Sequence, residues 1–198
     1  MELFWDHFPE ATELKILDVG GFVSKHAAQI LDEHPNKQKL ASINISRGEL
    51  MSIRDVYPDL PVSVADARQL PFKSKSFDIV YSNAVIEHVG SRADQHLMAK
   101  EIQRVGRAWF VTTPNRWYPF EFHTRLPLIG WLPAPLMKKL SRAYSYDHIQ
   151  RRYRSGAGSE STRLITRHEL EGMFPTSEVV CQRVTFWPET LIAIGQAR

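Results

Sequence analysis

Short apolar runs recur along the chain at intervals that leave room for one helix between each pair. "KILDV" (15–19), "LASINI" (40–45), "PVSVA" (61–65), "FDIVYS" (77–82) and "AWFVTT" (108–113) have the length and the β-branched and aromatic content of buried strands. Between them lie helix-compatible segments: 24–33, 46–57 and an amphipathic run over 94–105. Ser46 with Glu49 three residues on predicts a capping box at the start of the second. Thr166 and Glu169 predict another, followed by the runs "EVVCQRV" and "TLIAIGQA" around a turn near Pro188. Strands that alternate with helices predict a parallel sheet covered on both faces, and two final strands so closely joined must pair antiparallel. The expected class is α/β, a doubly wound, mostly parallel seven-stranded sheet that ends in a C-terminal antiparallel hairpin.

Composition adds bounds. The chain has 198 residues, 43% of them hydrophobic and 24% charged, which suits one globular domain with a full core. The opening residues lack a basic segment leading into an apolar run, so no secretory leader is expected there. The longest apolar patch, 126–137, is too short to cross a bilayer and is broken by Pro127, Pro133 and Pro135. Cys181 is the only cysteine, which excludes an intramolecular disulfide and a multi-cysteine metal site and suits a reducing, cytoplasmic setting. No metal site is expected.

The net charge of +3 hides an uneven distribution. Between Pro114 and Arg154 eight Lys/Arg stand against Glu121 and Asp147, which makes that stretch +6 and leaves −3 for the remainder. It also holds eight of the 21 aromatics and five of the twelve prolines. Residues 114–161 are therefore expected to form a basic, aromatic insertion that acts as a lid or acceptor platform within the one domain, 1–198.

In a doubly wound sheet, ligands sit beyond the carboxyl ends of the strands, where the strand order reverses. Those ends carry Asp18, Gly20 and Gly21, then Asn44 and Ile45, then Asp66 and Ala67, then Ser82 and Asn83. Glycines let backbone approach a ligand, a side-chain acceptor at the second strand end can hold ribose hydroxyls, and Asp66 can accept from an exocyclic amine. The set suits a ligand with an amino acid end, a ribose and an adenine. A plain strand-to-helix turn would also account for Asp18 and Gly20 alone.

"ILDVG", "INIS", "ADARQLPF" and "FDIVYSNAVIEHV" together resemble the class I S-adenosylmethionine-dependent methyltransferases of the type 11 branch, and "LITRHELEGMFP" with its hairpin resembles the branch's ending. The resemblance implies a Rossmann-like fold, S-adenosyl-L-methionine as cofactor, and a binding site made by Asp18, Gly20, Gly21, Phe22, Asn44, Ile45, Asp66, Ala67 and Asn83. It departs from the family at the first loop, where Phe22 and Ser24 replace glycines, and at Asn44, where the family has an acid. A β-carbon at position 22 would be strained if φ were positive there.

His88 and Glu87, beside the fourth strand end, are candidate catalytic groups, with a supporting role at the start of a helix as the alternative. His123, among Trp117, Tyr118, Phe120 and Phe122, is a third candidate on the acceptor side, in a segment that packing alone would also explain. The expected acceptor is a small or lipid-linked molecule, with peripheral membrane contact through 114–154. Basic residues among aromatics also allow a nucleic-acid acceptor, though the charge is confined to one region. A cofactor-free descendant of the fold that serves as a binding or scaffold protein is the rival from another class.

Overall fold

In the computed structural model, which describes residues 1–22, 29–121, 126–143, 145–147, 152–154, 162–183 and 186–197, the predicted strands form one seven-stranded sheet. In chain order they are β1 (Ile16–Val19), β2 (Leu40–Asn44), β3 (Val62–Val64), β4 (Phe77–Asn83) and β5 (Gly106–Pro114). After them a separate antiparallel ribbon, β6 (Ser145–Asp147) with β7 (Arg152–Arg154), precedes β8 (Ser177–Arg183) and β9 (Pro188–Gln196). The sheet order is β3-β2-β1-β4-β5-β9-β8. The first five strands run parallel, while β9 is antiparallel to both β5 and β8. The order reverses between β1 and β4, which sets the ligand crevice at their carboxyl ends.

All four residues of β1 are buried because both faces of the sheet are covered. Leu17 and Val19 join Met98, Ile102, Leu170 and Phe174 on one side, from α4 (Arg92–Val105), α6 (Arg167–Met173) and its C-cap. Ile16 joins Phe4, Ile30, Ile53 and Tyr81 on the other, where α1 (Glu2–His7), α2 (Gln29–Glu33) and α3 (Arg47–Val56) lie. The sequence pattern did not foretell α1, whose Phe4 is wholly buried edge-on to Tyr81 and Phe110.

The caps refine the predicted boundaries. Thr166 and Glu169 make both halves of their box, and Ser91 with Asp94 makes an unforeseen one that starts α4 at Arg92. At α3 only half of the expected box forms. Ser46 Oγ accepts from the Glu49 backbone N–H, but the Ser46 N–H is already taken by Asn44 Oδ1 at 2.8 Å, and the Glu49 carboxylate goes elsewhere. The predicted helix over 24–33 lies partly outside the described residues. Among those described, no helix is long and apolar enough to cross a membrane.

Candidate functional site

A cleft of about 710 Å³ opens at the carboxyl ends of β1, β2, β3 and β4. All nine residues expected to hold the cofactor line it: Asp18, Gly20, Gly21, Phe22, Asn44, Ile45, Asp66, Ala67 and Asn83. His88 lines it as well, together with Glu49, which the sequence reading did not single out as a site residue. Its volume lies within the range of small-molecule and cofactor sites, roughly 300–1,000 Å³.

The two glycines at the end of β1 are required by close approach. Gly20 has φ +83°, and a Cβ on it would stand 2.4 Å from Val85 Cγ2. On Gly21 a Cβ would meet Ser42 Oγ at 1.9 Å and Asp18 Oδ2 at 2.5 Å. Phe22 is a different matter: its φ is not positive, so the strain expected at a substituted glycine position is absent. Its ring is 42% exposed on the wall of the cleft. Ser24 lies outside the described residues.

Asp18 is 5% exposed and accepts a hydrogen bond from Ser42 Oγ at 3.0 Å. Burial pushes its carboxyl up to about 7, with the Ser42 hydroxyl opposing the shift. A carboxyl so placed is poised to ionise when a cationic group arrives beside it.

Asn44 is 8% exposed, and both N–H groups of its amide are engaged. Its Nδ2 donates to the Gly21 carbonyl at 2.9 Å and to Glu49 Oε2 at 2.5 Å, while its Oδ1 accepts from the Ser46 N–H. That Oδ1 accepts one hydrogen bond within the turn and keeps a second lone pair, so the ribose-acceptor role expected of Asn44 stays a proposal, shared now with a neighbouring acid. The carboxylate of Glu49, half-buried in the first turn of α3, lines the same corner of the cleft. The only local signal was Glu49 itself, which the capping pattern absorbed.

Asp66 is likewise less open than a strand-end acid suggests. Its Oδ1 accepts from the Arg68 backbone N–H and from Arg68 Nε, and its Oδ2 from Nε and Nη2, the last at 2.6 Å. The Arg68 side-chain bonds hold the carboxyl below its ordinary value. Arg68 also reaches Asp94 at 2.9 Å and so ties the third strand end to α4.

At the end of β4, Asn83 Oδ1 accepts from Thr112 Oγ1 at 2.5 Å, and the Ala84 N–H donates to that same hydroxyl and to the Thr112 carbonyl. Ala84 has φ +54°, a left-handed conformation held between two residues of the cleft wall. Ser82 does not reach the cleft: it is buried, and its hydroxyl donates to the Val19 carbonyl.

A 3₁₀ turn, Ile86–His88, carries two catalytic candidates. His88 lines the cleft, with Nδ1 3.3 Å from Thr162 Oγ1. Glu87 is wholly buried and is not among the lining residues. Its Oε2 accepts from Thr113 Oγ1 at 3.0 Å, its carbonyl accepts from the Arg163 N–H, and Gln95 Nε2 binds the Ile86 carbonyl beside it. The turn is thereby clamped, which is the supporting role weighed for Glu87 above. His123 lies outside the described residues. Among those described, no three metal-ligating side chains come together.

The family model described as "Methyltransferase domain", type 11, matches residues 17–108, from β1 into β5. Among solved structures, the chain is similar to an S-adenosylmethionine-dependent methyltransferase from Methanosarcina mazei, at 16% identity over 92% of each chain with a TM-score of 0.64. A second, from Clostridium acetobutylicum, shares 8% identity over 98% of this chain and 89% of that one, with a TM-score of 0.65. The N-terminal domain of EvdMO1, crystallised in the presence of SAH and D-fucose, shares 18% identity over 100% of this chain and 81% of that one, with a TM-score of 0.58. No curated protein matches by sequence. The chain has the class I methyltransferase fold, and its first half carries the matching domain signature.

Proposed function

We infer that the chain is an S-adenosylmethionine-dependent methyltransferase that acts on a small or lipid-linked acceptor in a reducing cytosol. The observation that carries this reading is the convergence of four strand ends on one cleft whose donor set fits the cofactor. Gly20 and Gly21 form a floor close to backbone, the Asp18 carboxyl suits an ammonium group, Glu49 offers a carboxylate for ribose hydroxyls, and Asp66 with Ala67 offers an edge for adenine. When bound, the cofactor supplies a sulfonium methyl group for in-line displacement by the acceptor. This chain's own residues align the two partners, and alignment alone supplies much of the rate in such reactions. His88, at the β4 end of the cleft, takes the acceptor's proton where one must be lost.

Calorimetric titration with S-adenosylhomocysteine tests the reading. Binding in the micromolar range is expected, with a rise in Tm equivalent to about 4 kcal/mol at a thousandfold excess over Kd. Absence of both heat and Tm shift at millimolar ligand would leave a binding protein that keeps only the fold.

A further inference from the structure

We propose that the β5–β9 side of the sheet's carboxyl edge is a membrane-docking surface that seats the protein on an anionic lipid bilayer. The inference deepens the lipid-linked acceptor reading and rests on it for its purpose, although the surface itself is argued from other residues.

Trp117 follows the end of β5, and Phe186 and Trp187 form the tip of the β8–β9 hairpin. Because Pro114 pairs with Thr190 in antiparallel register, that tip lies at the same edge as the end of β5, and therefore at the same edge as the cleft. Trp131 joins the two segments: its ring centroid is 6.3 Å from that of Trp187, and its Nε1 donates to the Trp117 carbonyl. Arg116 lies over the Trp117 ring at 5.7 Å. Of the thirteen exposed large hydrophobic residues among those described, seven belong here: Trp117, Phe120, Leu128, Trp131, Leu136, Phe186 and Trp187. Phe186 is 95% exposed and continues the apolar patch that Trp187, Trp131 and Trp117 begin.

Directly after Trp131 comes α5 (Ala134–Ala143). Its sequence places Leu136, Met137, Leu140 and Ala143 on one face, with exposed Lys139 at the border of that face. Leu136 and Ala143 are exposed and Met137 and Leu140 only half-buried, so the apolar face is left partly open. Exposed Trp and Phe beside a partly open amphipathic helix have the chemistry of an interfacial anchor. Charge complementarity fixes the sign of the surface. Arg116 over the Trp117 ring, exposed Lys139 and exposed Arg183 beside the hairpin tip are cationic, and Glu189 in β9 is hydrogen-bonded to Tyr118. Leu128, Leu136 and Met137 favour acyl chains over nucleic-acid bases, which would stack on the aromatics and leave the aliphatic residues unused.

The purified protein should sediment with vesicles of phosphatidylcholine mixed with phosphatidylglycerol and much less with phosphatidylcholine alone, and added salt should weaken the association. Phe186→Ser with Trp187→Ala should reduce partitioning by roughly tenfold or more, and Lys139→Gln by roughly fivefold. Binding of S-adenosylhomocysteine should be unchanged, since these side chains lie outside the cleft, and the Tm of Lys139→Gln should be unchanged, since that residue is exposed. No sedimentation with anionic vesicles would overturn the proposal. So would undiminished sedimentation of the folded double variant, or salt-steep binding to oligonucleotides without binding to vesicles. Vesicle binding that survives a failed cofactor titration would sink the enzymatic reading and leave this surface standing.

Discussion

Asn44 Nδ2 stands 2.5 Å from Glu49 Oε2 and donates to it, so the acid missing from the end of β2 reaches the same corner of the cleft from the first turn of α3. The relay has three parts. Asn44 Oδ1 takes the Ser46 N–H, that N–H is thereby closed to Glu49, and the freed carboxylate turns to the Asn44 amide. On the function proposed above, amide and acid together would do what one residue does at that strand end in the family this chain resembles.

A charge-swap series follows. Glu49→Gln should weaken S-adenosylhomocysteine binding by roughly tenfold to a hundredfold, the range set by losing a hydrogen bond to a charged group. Asn44→Asp restores the family's residue yet should also weaken binding and lower Tm, because it sets two carboxylates 2.5 Å apart. The double variant Asn44→Asp, Glu49→Gln removes that repulsion and should recover much of the loss, a coupling visible in a double-mutant cycle by calorimetry. Tighter binding by Asn44→Asp alone would show that the relay does not form in solution.

Ala84 offers a test on stability. Its φ of +54° costs a non-glycine residue about 1–2 kcal/mol, held in place by two hydrogen bonds from its N–H to Thr112. Ala84→Gly relieves that strain while adding freedom to the unfolded chain, so the net change in unfolding free energy should fall within about 1 kcal/mol of zero. Ala84→Val should destabilise by about 2 kcal/mol, since a β-branched side chain is worse still in that region. Urea unfolding of both variants gives the comparison, and equal losses in the two would mean that volume rather than φ governs the site.

Much of this was legible in the sequence because it is local. The strand runs, their small or polar closing residues and the Thr166/Glu169 box are patterns over a few residues, and all nine expected cofactor residues line one cleft. What escaped depends on contacts between distant segments. Burial of Asp18 beside Ser42, the grip of Arg68 on Asp66 and Asp94, and the meeting of Trp131 with Trp187 leave no periodic trace. Glu49 was visible but had a simpler use as a capping residue. Phe22 was read as a source of strain because the glycine pattern carries no φ; at an ordinary φ its ring stands on the cleft wall without it.

Asp66 separates ligand binding from fold. Three donors of Arg68 occupy both its oxygens, and two carboxylate oxygens offer about four acceptor sites. Asp66→Ala should weaken S-adenosylhomocysteine binding several-fold with a small change in Tm, since the partly exposed pair with Arg68 contributes little to stability. Arg68→Ala should keep or improve affinity, because it returns acceptor capacity to the carboxylate. A large fall in the Tm of ligand-free Asp66→Ala would instead identify a structural residue.

Asp18 makes stability depend on pH in a direction opposite to the paired surface acids. Its carboxyl rises from 3.8 to about 7 on folding, so between those values the folded chain holds a proton that the unfolded chain has released. The stabilisation from that proton is complete below about pH 4 and is lost as pH rises to about 7. At about 1.4 kcal/mol per pH unit the full swing is at most about 4 kcal/mol. Asp94, Glu101 and Glu169 are shifted downward by their partners, and their contributions are lost as pH falls. The two trends overlap in the wild type. The informative quantity is therefore the difference between wild type and Asp18→Asn, measured by urea unfolding at each pH. Relative to the variant, the wild type should lose stability steadily from about pH 4 to pH 7. A cationic ligand group beside Asp18 adds a second signature, because binding near pH 6.5 should then expel a proton from the wild type and none from Asp18→Asn. Titrations in two buffers of different ionisation enthalpy read that proton directly. A flat stability difference across the window would mean that Asp18 stays ionised in the fold, and the Gly21 loop would then have to open around it.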